Sequence, residues 1–350
     1  LDHLELVAYD HPIGSEIWLD ERFGGVVAPT GKPWVVGERL APKAARDDLG
    51  RDVLDLVTQV DRRWPDVERV KRFAGYAKDH ALELDFGDAL RDLPDGTPLV
   101  LCLYGWIDYT YSHVAYAAAQ AGIELLPPSL EVPDGQGGWR VVVADIGFPA
   151  GLPRPSTYDL SDLPEVRQGR FRLRTTMEIF YDDVFVAVAP SKTPSGRHVA
   201  PLRTATLRRV GVPKETSPDG RLPMGWDLDQ IEAGVPFRTM AGAYTRYGDV
   251  KSLLDAIDDR FVTMAMGDEV ELAFDATSLP PVADGLTRTF VLRSHGYCKD
   301  MDAYGAEPET VEPVPFGAMT SYPPPEPHPD ASLRQEMVTE WDTRIVPRVR

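Results

Sequence analysis

Leu82-Glu83-Leu84-Asp85-Phe86 alternates apolar and acidic side chains, and Phe171-Arg172-Leu173-Arg174 alternates apolar and basic ones. A period of two puts every second side chain on one face, so each stretch reads as a half-buried β-strand. Working outward, further apolar runs suited to strands lie at residues 4–9, 99–104, 130–132, 139–143, 184–189, 270–274 and 289–294. The 32 prolines and 29 glycines fall between these runs and not in one low-complexity tract, which is the punctuation of a many-stranded chain. Pro133-Asp134-Gly135-Gln136-Gly137-Gly138, between two expected strands, reads as a hairpin turn. The expected fold class is mostly β, with tandem sandwich-like domains and few short helices.

Two helical segments are expected, residues 53–60 and 250–257, each introduced by an aspartate, Asp52 or Asp249, able to cap a first turn. They also match each other. Laying Asp52-Val53 on Asp249-Val250 pairs Leu56 with Leu253, Val60 with Ile257, Asp61 with Asp258, Arg63 with Arg260 and Trp64 with Phe261. The strands that follow match in the same order: 82–86 with 270–274, then 99–101 with 290–292, closing on Gly105-Trp106 and Gly296-Tyr297. More weakly, Asp2-His3-Leu4-Glu5-Leu6 can be laid on Asp182-Asp183-Val184-Phe185-Val186. Collinear matches of this kind indicate a duplicated unit. The expected organisation is a first repeat unit at 1–103, a middle β-sandwich at 104–189 and a Pro-rich linker at 190–245. A second repeat unit at 246–306 and a Pro-rich tail at 307–350, wrapped over an existing surface, complete it.

With 55 acidic against 37 basic side chains the formal net charge is -18, which repels polyphosphate and anionic lipid and excludes nucleic acid as an expected partner. No apolar run reaches the roughly 18 residues of a membrane span, so no membrane insertion is expected. Residues 1–9 already read as a strand, with no charged start or cleavage site before them, so the chain is expected to begin inside a longer polypeptide. Cys102 and Cys298 are too few for a disulfide framework and lack zinc spacing, and whether they pair stays open.

No GxSxG, HExxH, P-loop, GxGxxG or EF-hand pattern is present. The densest polar and aromatic cluster is Gly105-Trp106-Ile107-Asp108-Tyr109-Thr110-Tyr111-Ser112-His113. As a loop it would offer the stacking faces of Trp106, Tyr109 and Tyr111 beside the hydrogen-bonding groups of Asp108, Ser112 and His113, the chemistry that holds a sugar. The competing reading makes Trp106 and the tyrosines core residues with hydrogen-bonded polar tips. Tyr181-Asp182-Asp183 invites two readings as well: calcium ligands or mutually tuned acids on one side, solvated turn residues on the other. Asp300 and Asp302 are calcium candidates on the same terms, and no other cofactor is expected.

The run from Leu1 to Pro12, Gly105-Trp106-Ile107-Asp108-Tyr109, Asp145-Ile146-Gly147-Phe148-Pro149-Ala150-Gly151 and Met177-Glu178-Ile179-Phe180-Tyr181-Asp182 together resemble the C-terminal region of bacterial secreted proteins of the ASPIC/UnbV type, relatives of the cartilage acidic protein. Tyr247-Gly248-Asp249-Val250, Gly267-Asp268-Glu269-Val270 and Glu312-Pro313-Val314-Pro315-Phe316 continue the likeness over most of the chain. The resemblance implies an extracytoplasmic protein in which FG-GAP propeller repeats precede such a region. Neither the propeller nor its calcium loops occur here, so propeller functions do not carry over, and the family supplies no catalytic residue set. The expected function is a non-catalytic binding or assembly module presenting loops to a glycan, a peptide or a partner subunit. Its rivals are an enzyme of natural-product or carbohydrate metabolism drawing acid and base from Asp108, Tyr109, Tyr181, Asp182 and Asp183, and a purely structural subunit of an extracellular assembly.

Overall fold

The computed structural model describes residues 1–233 and 238–348; residues 234–237 of the expected linker and 349–350 of the expected tail lie outside them. Every strand read from the sequence is a strand, and the fold is mostly β, arranged in several separate antiparallel sheets. The hairpin at 133–138 is as expected: Ser129–Pro133 pairs with Trp139–Val143, and Asp134 accepts the N–H groups of Gln136 and Gly138 to hold the turn. No helix among the described residues is long and apolar enough to cross a membrane.

The chain divides into two compact units, though not in consecutive segments. One comprises 10–195 with 284–287, the other 1–9, 196–283 and 288–350. The stretch 104–189 is therefore not a separate middle module. Its strands Ser129–Pro133, Trp139–Val143 and Arg170–Met177 join Ala44–Arg46 and Tyr76–Asp85 in a five-stranded sheet, while Arg154–Asp159 and Ile179–Val188 join Leu99–Ile107 and Glu38–Leu40 in a four-stranded one. Nor is 190–245 a linker, since it supplies the strands Gly196–Ala200 and Leu202–Arg209. Proline density marked the turns between these strands and concealed the strands themselves.

In the 10–195 unit the two sheets face each other across the main core. Leu99, Leu101, Leu103, Val184 and Val186 of one sheet meet Leu82, Leu84, Leu130, Phe171 and Leu173 of the other. The alternation read from the sequence is the cause. In 82–85 and 171–174 the leucines and phenylalanine turn inward while Glu83 reaches Arg170 across the outer face. Ile179–Val188 is buried along its whole length because its outer face is covered too: Val100, Cys102, Phe185 and Ala187 pack under Trp18, Trp34 and Val36. Those residues come from the hairpin Glu16–Leu19 and Pro33–Val36, which forms a third layer in which Trp18 lies opposite Trp34.

The other unit has a smaller core of Leu4, Ala205, Leu207, Val250, Leu253, Leu254 and Val262, completed by Leu333 and Met337 from the C-terminal segment. The strand Arg344–Val346 pairs with Gly242–Tyr244, so the end of the chain is built into this unit.

The helices expected at 53–60 and 250–257 are absent; each shrinks to a 3-10 turn, Leu54–Leu56 and Lys251–Leu253. Val53, Val57, Thr58 and Val60 are β-branched, and the backbone bonds to neighbouring strands instead of to itself. Val53 N–H donates to the Ala45 carbonyl at 3.0 Å, and Val250 N–H to that of Ala205 at 2.9 Å. Asp52 and Asp249 do accept the N–H groups of Leu54 and Lys251. The paired segments share further geometry. Val184 N–H bonds the Val57 carbonyl as Leu4 N–H bonds that of Leu254, and Ala45 pairs with Leu84 as Ala205 pairs with Leu272. Arg62 and Asp259, at matching positions, both adopt a left-handed conformation, with φ of 65° and 66°. A Cβ on Gly105 would stand 3.1 Å from the Cα of Tyr181, and one on Gly296 would stand 3.1 Å from that of Leu1. Glycine is needed at both places because the next strand is so close.

Candidate functional site

The expected aromatic loop is dispersed by the fold. Gly105, Trp106 and Ile107 finish the strand Leu99–Ile107, and Ser112–Gln120 is an α-helix that the reading missed. Four alanines in Ser112-His113-Val114-Ala115-Tyr116-Ala117-Ala118-Ala119-Gln120 are its signal, since alanine has the highest helix propensity. Trp106 is a core residue, 5% exposed, stacked on Phe180 at 4.5 Å and edge-on to Trp64 at 5.6 Å. Its Nε1 has no hydrogen-bond partner, so the expected satisfied polar tip is missing. Tyr109, Tyr111, Ser112 and His113 are exposed, Tyr111 and His113 lying against each other, and Asp108 is half-buried. Asp108 N–H donates to the Glu178 carbonyl.

Asp182 and Asp183 are not solvated turn residues; both are buried within the strand Ile179–Val188. Asp182 accepts the N–H groups of Asp61 at 3.2 Å and Arg62 at 3.0 Å, fixing the left-handed bend there. Asp2, at the matching position, is also buried and accepts the N–H of Asp258 at 3.3 Å. Asp183 pairs with Arg39, whose guanidinium lies 3.9 Å over the Phe185 ring. Burial pushes both carboxyls up, opposed in Asp182 by the bonding N–H groups and in Asp183 by Arg39. The Tyr181 hydroxyl is buried without a partner, and burial pushes its phenol up. Among the described residues no group of three or more His, Cys, Asp or Glu is placed to hold a metal ion; Asp300 is exposed and Asp302 accepts the N–H of Tyr304. Cys102 is buried and Cys298 exposed, both as free thiols.

The structure gathers a different set of residues, around Trp34 in the 10–195 unit. A cavity of about 250 Å³ is lined by Asp20, Arg22, Thr30, Lys32, Thr157 and Lys192, with Pro33 and Trp34 beside them and Asp159 at its wall. Local bonding explains why these side chains converge. The loop leaving Glu16–Leu19 is pinned by Asp20, whose carboxylate accepts Arg22 Nε at 3.0 Å, Thr30 N–H at 2.8 Å and the Thr30 hydroxyl at 3.0 Å. Arg22 reaches on to donate to the Thr157 carbonyl at 2.9 Å and the Val27 carbonyl at 2.7 Å. The Asp20–Arg22 pair is almost fully buried, with side-chain exposures of 9% and 5%, and is bonded on several sides, as a buried ion pair must be to persist.

At the opposite wall Lys192 Nζ stands 3.0 Å from Asp159 and 4.9 Å above the Trp34 ring. Burial works against the charge on Asp159, but hydrogen bonds from Ser161 and Lys192 outweigh it and hold its carboxyl below the usual range. The ammonium of Lys32 has no ion-pair partner among the described residues. Thr157, 1% exposed on the strand Arg154–Asp159, directs no bond from its Oγ1, which is buried without a partner. A buried hydroxyl left unmatched costs about 1–3 kcal/mol, and Trp106 Nε1, Thr110 Oγ1, Arg154 Nε and the Tyr181 hydroxyl are buried without a partner in the same way.

None of Trp106, Asp108, Tyr109, Tyr111, Ser112 or His113 lines this cavity. The sequence does carry a trace of it: Trp18 and Trp34 flank a stretch with three glycines, but neither hairpin strand was legible. Comparison with family models, with characterised proteins and with solved structures finds no match to the chain.

Proposed function

We propose that the chain is a non-catalytic binding module of an extracytoplasmic protein, and that the cavity around Trp34 holds a small polar ligand of the size of a single sugar. The observation that carries this reading is a cavity of about 250 Å³ that brings Pro33 and Trp34 together with Asp20, Arg22, Lys32, Asp159 and Lys192. Small-molecule sites combine an aromatic or apolar wall with a few fixed polar groups, and Trp34 and Pro33 provide the first while Asp159 and Lys192 provide the second. The volume lies just under the roughly 300–1,000 Å³ typical of drug-sized ligands. A rigid support favours the reading too, since the cavity rests on the hairpin layer that covers Phe185 and Cys102.

The likeness to ASPIC/UnbV-type C-terminal regions supports a place outside the cytoplasm. The matching bonds around Asp182 and Asp2 support descent of both units from one duplicated ancestor. Of the five acid and base candidates of the enzyme reading, Asp182 and Asp183 are taken up by Asp61, Arg62 and Arg39. A panel of monosaccharides followed by amide chemical-shift mapping tests the proposal. Shifts are expected at 20–34, 157–159 and 192; shifts confined to 105–113, or none with any sugar, would reject it.

A further inference from the structure

Between the 3-10 turn Leu54–Leu56 and the strand Tyr76–Asp85 the chain runs through residues 57–75 without a helix or a strand. Stretches of this length without regular structure are uncommon inside a compact unit and are usually lids or binding segments. This one lies over the aromatic end of the four-stranded sheet. Trp64 stands edge-on to Trp106 at 5.6 Å and 6.0 Å from Phe180, and the Arg69 guanidinium is 5.8 Å from the Phe180 ring. The start of the segment is tied by Asp182, through the N–H groups of Asp61 and Arg62. Its far end is tied by Glu178, whose carboxylate accepts Gly75 N–H at 3.1 Å and pairs with Arg69 at 2.8 Å.

Glu178 is 2% exposed, and the Asp108 carboxyl hydrogen-bonds to it from just beyond the strand Leu99–Ile107. Two carboxyl groups share such a bond only while one of them keeps a proton; without it they are like charges side by side. Among the described residues the charged groups facing Glu178 are Arg69 from the segment and Asp108 from the sheet. We propose that residues 57–75 are a strap whose Arg69–Gly75 end is held over Trp106 and Phe180 by a proton shared between Asp108 and Glu178, and is released when that proton leaves. Burial pushes the Glu178 carboxyl above the ordinary glutamate value, and Asp108 adds to the rise, while Gly75 N–H and Arg69 work against it. With the strap raised, water reaches Glu178 and its carboxyl returns toward the ordinary value, so the closed form binds the proton more tightly than the open one. Closure is therefore full below 4.5 and is lost as pH rises through the raised value. Once the proton has gone, one guanidinium faces two carboxylates in a buried site, and opening hydrates all three.

The indole N–H signals of the seven tryptophans of the full chain, followed by NMR from about pH 4 to about pH 8, test the proposal. Trp64 and Trp106 should move together with one midpoint above the ordinary glutamate value, while Trp18 and Trp34 stay in place. Glu178→Gln, which has no proton to lose, should hold Trp64 and Trp106 at their low-pH positions throughout. Asp108→Asn supplies a permanent donor and removes one charge, so it should lower the midpoint by about one pH unit or more. A purely structural role for Asp108 would leave that midpoint where it is. Signals of Trp64 and Trp106 that do not move with pH would overturn the proposal. So would a movement that survives in Glu178→Gln, a midpoint unchanged in Asp108→Asn, or a movement that carries Trp18 and Trp34 with it.

Discussion

Leu99–Ile107 and Leu286–His295 occupy matching places in the two units and have opposite surroundings. The first is paired on both edges, by Arg154–Asp159 and Ile179–Val188, and Leu99 and Leu101 are 1% and 0% exposed. The second has a sheet neighbour on one edge only among the described residues, and Phe290 and Leu292, matched to those leucines, are 49% and 52% exposed. Part of the difference is local: Leu99–Ile107 is apolar almost throughout, whereas Leu286–His295 carries Thr287, Arg288, Thr289, Arg293, Ser294 and His295. The material laid over them differs as well: the 10–195 unit has a five-stranded sheet on one face and the Trp18 and Trp34 hairpin on the other. Burial thus follows both the strand's own side chains and the layers packed over it, and the cavity lies beside the outer hairpin.

The contrast is sharpest at the aromatic residues that end the two strands. Trp106 meets Trp64 edge-on at 5.6 Å, and Tyr297 meets Phe261 edge-on at 5.1 Å, but only Trp106 is sealed, Tyr297 being 36% exposed. Trp106→Ala should cost about 3–5 kcal/mol, as large aromatic truncations in a core do, and Tyr297→Ala about 1 kcal/mol. Urea unfolding of the two variants measures this, and equal losses would break the comparison.

A buried acid of the smaller-cored unit, Asp342, gives the next effect. Burial raises the Asp342 carboxyl from 3.8 to about 6, although the Thr245 hydroxyl that donates to it works the other way. Between those values the folded state keeps a proton that the unfolded state has released. Stability contributed by this group is therefore full below about pH 4 and is lost as pH rises to about 6, by at most about 3 kcal/mol. Asp342→Asn keeps an acceptor for Thr245 and should flatten that part of the slope. Calorimetric melts at pH 4 and pH 7 in which the variant keeps the wild-type difference would show that Asp342 does not carry it.

Smaller still is the effect expected where the two units agree. Asp182 and Asp2 both hold the backbone at a left-handed residue, so Asp182→Ala and Asp2→Ala should each cost about 1 kcal/mol by removing the acceptor of partly buried N–H groups. Denaturant midpoints for the pair measure it. A loss at one site with none at the other would mean that the matching bonds do not do matching work.

How far the sequence could be read follows from the range of the forces involved. Strands such as 82–85 and 171–174 were legible because alternation is local and one face of each is buried. The correspondence of 53–64 with 250–261 was legible because it needs only residue order. Helices at 53–60 and 250–257 were misread, since periodic Leu and Val there serve bonds to strands distant in sequence, such as Val184 to Val57. The helix Ser112–Gln120 was hidden by attention to its aromatic neighbours. Trp106 could not be placed from its neighbours, because Phe180 and Trp64, which bury it, lie far along the chain. The cavity was missed for the same reason: Asp20, Thr157 and Lys192 meet only through the sheet order, and a buried hydroxyl without a partner leaves no mark in a sequence.

Amide hydrogen exchange, read strand by strand under native conditions, tests most directly whether one unit closes over a strand that the other leaves bare. Backbone bonds sealed on both edges exchange only when the whole unit opens, whereas an edge strand also exchanges through local opening. Residues 99–107 should therefore show the slowest exchange in the chain, and 286–295 should exchange at least tenfold faster. Equal protection of the two strands would contradict the account, because it would require a cover over Phe290 and Leu292 that the structure does not have.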